Sequence, residues 1–483
     1  MERHGNEGTA GYLWERTPRC SITHLGNSRL TGNLYSKPTK MSSLRYTRAL
    51  VAGSAALRGV ARQQVRQSCN TCTNRRCLSL AAAALQRTQV KMSHPPANAV
   101  MSATRTSDSL HLVFGDGTSS DLPYIWLRDN CQCAQCFSEG ALGRKLLMQD
   151  LDLDVKPALI SESDRGVTVE WTDGHYSEFM GEWLYDRAFT PTSRTRRRHQ
   201  FAYTRKPWGA DHRLPEYDYE RMMKDDKVLL DWLITMEKKG SAMVKNAPDR
   251  DVAGPELIEH IAYVKPSHYG PHSPVINRPD SNNVAFTNAK LGMHNDLAQY
   301  EHMPGIIFIH CMKQHIGTGG ESVIADGLLA AEILRKSNPE AFHVLTSTDA
   351  YFWDKGHANY SWEMPEFYKI SRHPILTLDS NNDVCRVSLN NAVRDSFLDL
   401  PAHKVKGFYA AMKLFNEILY DNSLAFKMDT GDIMTLDNVR CLHGREGYEA
   451  FSERHIESSY LDWDEARCRR RRLQEKLGVN DQK

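Results

Sequence analysis

Residues 305–311 read GIIFIHC, a continuous apolar run of the length of one buried strand. Around it, from residue 280 onward, short strand-like runs predominate, with few helices between them. Residues 432–436 (DIMTL) and 456–460 are two more such runs. A doubly wound parallel sheet needs a helix after nearly every strand, so this pattern fits a β-barrel or jelly roll better. Two helices are nonetheless legible. Leu229, Trp232, Leu233 and Met236 fall at helical spacing, with Gly240 placed to end the helix and a strand-like SAMVKN after it. Val405, Phe408, Met412, Phe415 and Leu419 make a second amphipathic helix that begins just after Pro401.

The 483 residues have room for two domains with appendages. Residues 1–105 show no sustained periodicity and read as a basic tail. Residues 106–205 form a small N-terminal unit with strands at 110–114, 167–171 and 176–179. The basic stretch 194–199 leads through Pro207 and Pro215 and reads as a linker. Residues 206–470 make the larger mixed domain, and 471–483 a C-terminal tail. The arginine run 467–472 reads as a solvated helix face.

Charge bounds the partners. A net charge of +2 gives no general case for a nucleic-acid partner, and no stretch reaches the roughly 20 apolar residues of a membrane span. The tail is different: no acidic residue occurs between Glu15 and Asp108, and the part after Met41 is rich in Arg, Ser and Ala. That composition suits a mitochondrial import presequence, with an internal start at Met41 as one origin; a disordered basic extension or a misassigned gene start is the other reading, with a cytoplasmic enzyme. Arg58 and Arg62 interrupt any secretory apolar core. The 11 cysteines are too scattered for a disulfide scaffold and cluster instead, which points to a reducing compartment and a metal.

The segment KLGMHNDLAQY contains His294 and Asp296 two residues apart. On a strand, a period of two sends both side chains to one face and Asn295 to the other. A third ligand must come from afar, and His443 in NVRCLHGRE follows the strand-like DIMTL. Two imidazoles and a carboxylate cover one face of an octahedral Fe(II) and leave three positions open. Arg454 lies eleven residues after His443, with Tyr460 on the next strand. A guanidinium there would pair with the far carboxylate of a chelating diacid, which could not be buried unpaired without several kcal/mol of loss. Cys131, Cys133 and Cys136 form Cys-x-Cys-x2-Cys, a spacing that suits a closed structural zinc site. A rival cluster, Cys69, Cys72 and Cys77, lies in the basic tail and reads as incidental.

From about Leu122 to Leu473 the chain resembles the γ-butyrobetaine dioxygenase family, a branch of the taurine-dioxygenase-like oxygenases. The resemblance is carried by IWLRDNCQCAQC, WTDGHYSEF, NNVAFTNAKLGMHND, TGGESVIADG, LNNAVRD, DNVRCLHGR and RHIESSYLDWD. It implies a mostly β fold with helices: a double-stranded β-helix (jelly-roll) oxygenase core plus a small N-terminal zinc-binding domain. It implies the triad His294, Asp296 and His443 for iron, and 2-oxoglutarate anchored by Arg454 with help from Ser322. His175 in WTDGHYSEF becomes the fourth zinc ligand beside Cys131, Cys133 and Cys136. Ascorbate is implied as reductant, O2 as the second cosubstrate, and a homodimer as the assembly.

The same resemblance implies an aromatic cage for a small quaternary ammonium substrate, at Tyr269, Phe286 and Tyr460, each face worth roughly 0.5–2 kcal/mol when desolvated. Asn283 and Asn390 match amides near the family's active site that suit a substrate carboxylate. The tryptophan of the family cage falls at Ser273, so one wall is missing, and Trp353 or Trp362 could replace it. The leading expectation is hydroxylation of γ-butyrobetaine to L-carnitine with release of succinate and CO2. Hydroxylation of trimethyllysine or another quaternary amine is the alternative, and a zinc-containing binding protein with a decayed oxygenase site is the reading from another class.

Overall fold

The computed structural model describes residues 95–163, 165–277, 284–356, 366–449 and 453–479. The apolar run lies within the strand Ile306–Lys313, at the middle of a six-stranded sheet. Its apolarity is continuous because both faces are covered. Ile307, Ile309 and Cys311 point into the space between two sheets, while Ile306 and Phe308 pack beneath helices.

In spatial order the large sheet is His272–Ile276, His455–Leu461, Ile306–Lys313, Ile433–Asp437, Ser241–Lys245 and Glu216–Asp218. Only the last pair is parallel. A four-stranded antiparallel sheet faces it, in the order Leu291–His294, Cys441–Arg445, Ser322–Asp326 and Leu424–Phe426. Ile324, Leu424, Phe426 and Cys441 from the small sheet meet Met243, Met434, Leu436 and Ile456 from the large one. The fold is therefore the expected double-stranded β-helix. Helices Asp226–Lys239, Ala253–Ile261 and Trp463–Leu477 cover the outside of the large sheet. Helices Gly327–Ser337, Pro339–Ser347 and Ala402–Asp421 cover the small one. Gly240 ends its helix in the left-handed region at φ 72°, where glycine carries no Cβ penalty.

A buried ion pair ties the layers together. Asp326, at the end of a small-sheet strand, accepts from Arg440 Nε at 3.1 Å and Nη2 at 2.7 Å, and neither side chain touches solvent. The same carboxylate caps the helix Gly327–Ser337 through Leu328 N and receives Trp208 N. Arg440 also donates to Lys238 O and Lys206 O.

The N-terminal unit has its own core between two three-stranded sheets, with Leu112, Leu122, Val169, Trp171 and Phe179 buried. Three boundaries differ from the sequence expectation. Residues assigned to the tail form the strand Val100–Arg105 of the first sheet. The expected linker at 194–199 is part of the helix Pro191–Phe201, because Thr190 accepts from Ser193 N and Pro191 supplies the first-turn geometry. The arginine run is not wholly solvated, and residues 471–477 are not tail. The last helix runs to Leu477, Leu473 is buried, and Arg470 is fully buried, donating to Glu237 at 2.5 Å and to Gln200 O at 3.0 Å. The carbonyls at the end of one helix thus recruit an arginine from another. The basic tail through residue 94, with Cys69, Cys72 and Cys77, lies outside the described residues, as do Asn283 and Trp362. No described helix is long and apolar enough to cross a membrane.

Asp326→Ala leaves the Arg440 charge buried without its partner, and a loss of about 3–5 kcal/mol is expected. Urea denaturation monitored by fluorescence measures it; a midpoint equal to wild type would show that this pair does not determine stability.

Candidate active site and metal centres

His294 and His443 are direct cross-strand partners in the small sheet, with ring centroids 4.2 Å apart. The strand Leu291–His294 ends at His294, so Asp296 is not a strand residue as expected. It sits in the turn that follows, where Leu297 takes a positive φ of 59°. Asn295 fixes this turn. Its side chain donates to Asn438 O and Cys441 O and accepts from Leu389 N, while Asn438 bonds Asp296 N and O in return. Asn295 therefore points away from the triad, and the structure brings His294, Asp296 and His443 together regardless of the strand end.

Asp296 Oδ1 lies 3.2 Å from His294 Nε2 and 3.5 Å from His443 Nε2. Three perpendicular bonds of roughly 2.1 Å would set ligand atoms about 3 Å apart, so the cluster fits one face of an octahedral ion. His294 Nδ1 donates to Gly292 O, which leaves the Nε2 lone pair facing Asp296. Burial, reinforced by the neighbouring His294, drives His443 down to about 3. Burial opposes the charge on Asp296, but His294, His443 and the Tyr460 hydroxyl outweigh it and hold the carboxyl below its usual range. A neutral His443 and an ionised Asp296 are the protonation states a divalent metal requires of these two groups.

On the strand of His443 and just before the one that follows lie two buried arginines. Arg454 is buried, its Nε has no hydrogen-bond partner among the described residues, and burial lowers its pKa. Arg445 lies two residues after His443 on the same strand face and stacks with Arg454 on Tyr448, at 4.9 and 5.7 Å. Burial and the charge of Arg454 bring Arg445 down to about 10. Arg445 donates to Ala285, Thr287 and Ala289 carbonyls, and no carboxylate pairs with either guanidinium among the described residues. Ser322 is buried and cross-strand from Arg445. A buried guanidinium such as Arg454, whose Nε has no partner among the described residues, suits an anionic ligand. Sequence reasoning missed Arg445 and Tyr448; the spacing of His443 and Arg445 was the available signal.

The cavity beside the triad is lined by Tyr269, Phe286, Tyr460, Asn390 and Ser273. Tyr269 and Phe286 meet edge to face, 6.2 Å between centroids. Tyr460 also reaches the triad, where its hydroxyl donates to Asp296 Oδ2 at 2.7 Å. Asn390 donates to Asn295 O and accepts from Ala392 N. Trp353 does not replace the missing wall, since it packs on Tyr368 and Lys355 at the surface. Gln299, which the sequence did not flag, also lines the cavity, with a buried Oε1 that has no partner among the described residues.

In the N-terminal unit, the sulfurs of Cys131, Cys133 and Cys136 lie 3.3, 3.4 and 3.4 Å from His175 Nε2. A tetrahedron with metal–sulfur bonds of about 2.3 Å and a metal–nitrogen bond of about 2.0 Å has sulfur–nitrogen edges of about 3.5 Å. The set fits zinc. Without a cation, burial pushes the Cys136 thiol up to about 11. Arg128 links Cys136 to Asp173, whose carboxylate accepts from His175 N. The double variant Cys131→Ala/Cys136→Ala is expected to lose the bound zinc and to melt at lower temperature. Elemental analysis and a thermal scan check this; wild-type protein without zinc would refute the assignment.

A taurine catabolism dioxygenase TauD, TfdA family model matches residues 200–460, and a γ-butyrobetaine hydroxylase-like N-terminal model matches residues 101–185. The chain is 36% identical to human γ-butyrobetaine dioxygenase over 373 residues, 76% of this chain and 95% of that protein. It is 29% identical to the γ-butyrobetaine dioxygenase of Pseudomonas sp. (strain AK-1), over 77% of this chain and 95% of the relative. Rat mitochondrial trimethyllysine dioxygenase is 26% identical, over 74% of this chain and 84% of the relative. With its iron-type triad, its buried arginines and these matches, the chain belongs to the TauD, TfdA dioxygenase family, alongside the γ-butyrobetaine dioxygenases.

Proposed function

We propose that this protein hydroxylates γ-butyrobetaine to L-carnitine, with 2-oxoglutarate converted to succinate and CO2. The observation that carries this reading is one cavity lined by His294 and Asp296 together with Tyr269, Phe286 and Tyr460, with Arg445 two residues after His443 and neither Arg445 nor Arg454 paired with a carboxylate among the described residues. His294, Asp296 and His443 would hold Fe(II), which supplies the activation of dioxygen. Tyr460 orients Asp296 through its hydroxyl and leaves the carboxylate a single free direction toward the metal. Arg454, with Arg445 and Ser322, takes the far carboxylate of 2-oxoglutarate, and the buried setting makes that pairing strong.

Tyr269, Phe286 and Tyr460 face the trimethylammonium head, which offers no hydrogen-bond donor and is best held by π-faces in a dry pocket. Asn283 and Asn390 belong to the same reading as partners of the substrate carboxylate. Ser273 at the cavity wall favours a second reading, in which a differently shaped quaternary amine, trimethyllysine included, is the substrate. Zinc at Cys131, Cys133, Cys136 and His175 is structural, and ascorbate keeps the iron reduced. Mitochondrial import through the basic tail and a homodimer complete the proposal; both rest on composition and family resemblance.

Succinate release by purified protein with Fe(II), ascorbate and a panel of amines tests it. γ-Butyrobetaine should stimulate succinate release above trimethyllysine, and His294→Ala should abolish the effect. Stimulation by no panel member in iron-loaded protein defeats the proposal. Arg454→Met should raise the KM for 2-oxoglutarate by about ten- to a hundredfold, since a charge-assisted pair is worth about 1.5–3 kcal/mol; an unchanged KM would relocate the anchor.

A further inference from the structure

The outer face of the large sheet carries a second group of ligand-type side chains. His455 and Glu457 lie two residues apart on the strand His455–Leu461 and share a face. Ile456, Ser458 and Tyr460 take the other face, toward the cavity and the inner core. Glu457 is buried and joins two imidazoles: Oε1 lies 3.2 Å from His455 Nε2, and Oε2 lies 3.1 Å from His272 Nδ1 on the neighbouring strand. Asp251, just before the helix Ala253–Ile261, adds a second carboxylate. One ligand atom each from Asp251, His455 and Glu457 lie within 4.8 Å of one another. On the opposite neighbouring strand, His310 stands directly across from Glu457. It is 1% exposed, and neither ring nitrogen has a hydrogen-bond partner among the described residues. The charged groups that act on it are Asp249, His455, Asp251 and Asp432.

A structural ion pair accounts for Glu457 between two histidines, but it leaves two features unmet. His310 keeps a donor and an acceptor unsatisfied in the interior, which is unfavourable for both groups. The carboxylates of Asp251 and Glu457 approach closely, and like charges at that range are stable only with a proton or a cation between them. A divalent cation held by Asp251, His455 and Glu457 meets the second demand. Imidazoles mixed with carboxylates select zinc, cobalt, nickel or copper over magnesium or calcium.

The geometry points to a third metal site on the outer face of the large sheet, in which Asp251, His455 and Glu457 bind a borderline divalent ion such as Zn(II). His272 holds Glu457 in place through the oxygen that faces away from His455, the role of an outer partner that orients a ligand. The site is separate from the triad, because its strand ligands lie on the opposite face of the sheet from the cavity.

The test starts from full-length protein loaded anaerobically with Fe(II), 2-oxoglutarate and zinc at the cysteine site. Zn(II) is titrated in by calorimetry, and iron and zinc are counted after gel filtration. The expected result is one further zinc per chain with iron retained. Asp251→Asn and His455→Asn should each weaken that step by at least about tenfold, with unchanged iron and cysteine-bound zinc. Asp251 is exposed, so its variant remains informative if the strand variant fails to fold. No additional zinc, additional zinc only as iron is lost, or wild-type affinity in the Asp251→Asn protein would each overturn the site.

Discussion

The Asp326–Arg440 pair sits where every layer of the catalytic fold meets. The carboxylate ends a small-sheet strand and caps a helix, and the guanidinium reaches carbonyls of the helix beneath the large sheet and of the segment leading into it. Such a pair is weak evidence for stability by itself, since desolvation offsets much of the attraction. Its effect is to permit one arrangement. Any shift of either sheet would leave a full charge in the interior, and Arg440 stands just before the strand that carries His443 and Arg445. The position of the site is thereby linked to the position of both sheets.

The site itself is an arrangement of buried charge in which some groups are satisfied by protein and others are not. Asp296 is surrounded by His294, His443 and Tyr460, and its backbone is held by Asn438. Arg445 and Arg454 have no carboxylate partner among the described residues; Arg445 is held by three carbonyls, and both guanidinium groups stack on Tyr448. The cavity wall mixes the rings of Tyr269, Phe286 and Tyr460 with the polar side chains of Ser273, Asn390 and Gln299.

Both metal-type sites follow the same logic at different depths. The cysteine–histidine cluster is closed on all four sides and belongs to a unit whose core is small, where a bound ion contributes directly to folding. The triad is open on one side, which is what a reaction at the metal needs. Glu457 and Ser458 show how one strand serves two surfaces, since alternation sends one residue outward and the next toward the cavity.

Much of this was legible in the chain. The apolar run at 305–311 marked a buried strand, the pattern after residue 280 a jelly roll, and His294 with Asp296 a candidate pair of metal ligands, because periodicity and ligand chemistry are local properties. Cys131, Cys133 and Cys136 declared their site by spacing alone. What only the tertiary structure decided depends on which distant groups come together. The basic stretch 194–199 lies in a helix that Thr190 and Pro191 start and whose end, at Gln200, meets Arg470, itself buried against Glu237. Tyr460 gained its bond to Asp296 from a separation of 164 residues. Asp296 left its strand because Asn295 and Asn438 lock the turn. Charge in a sequence has no address; burial and partners give it one, and those are properties of the packed fold.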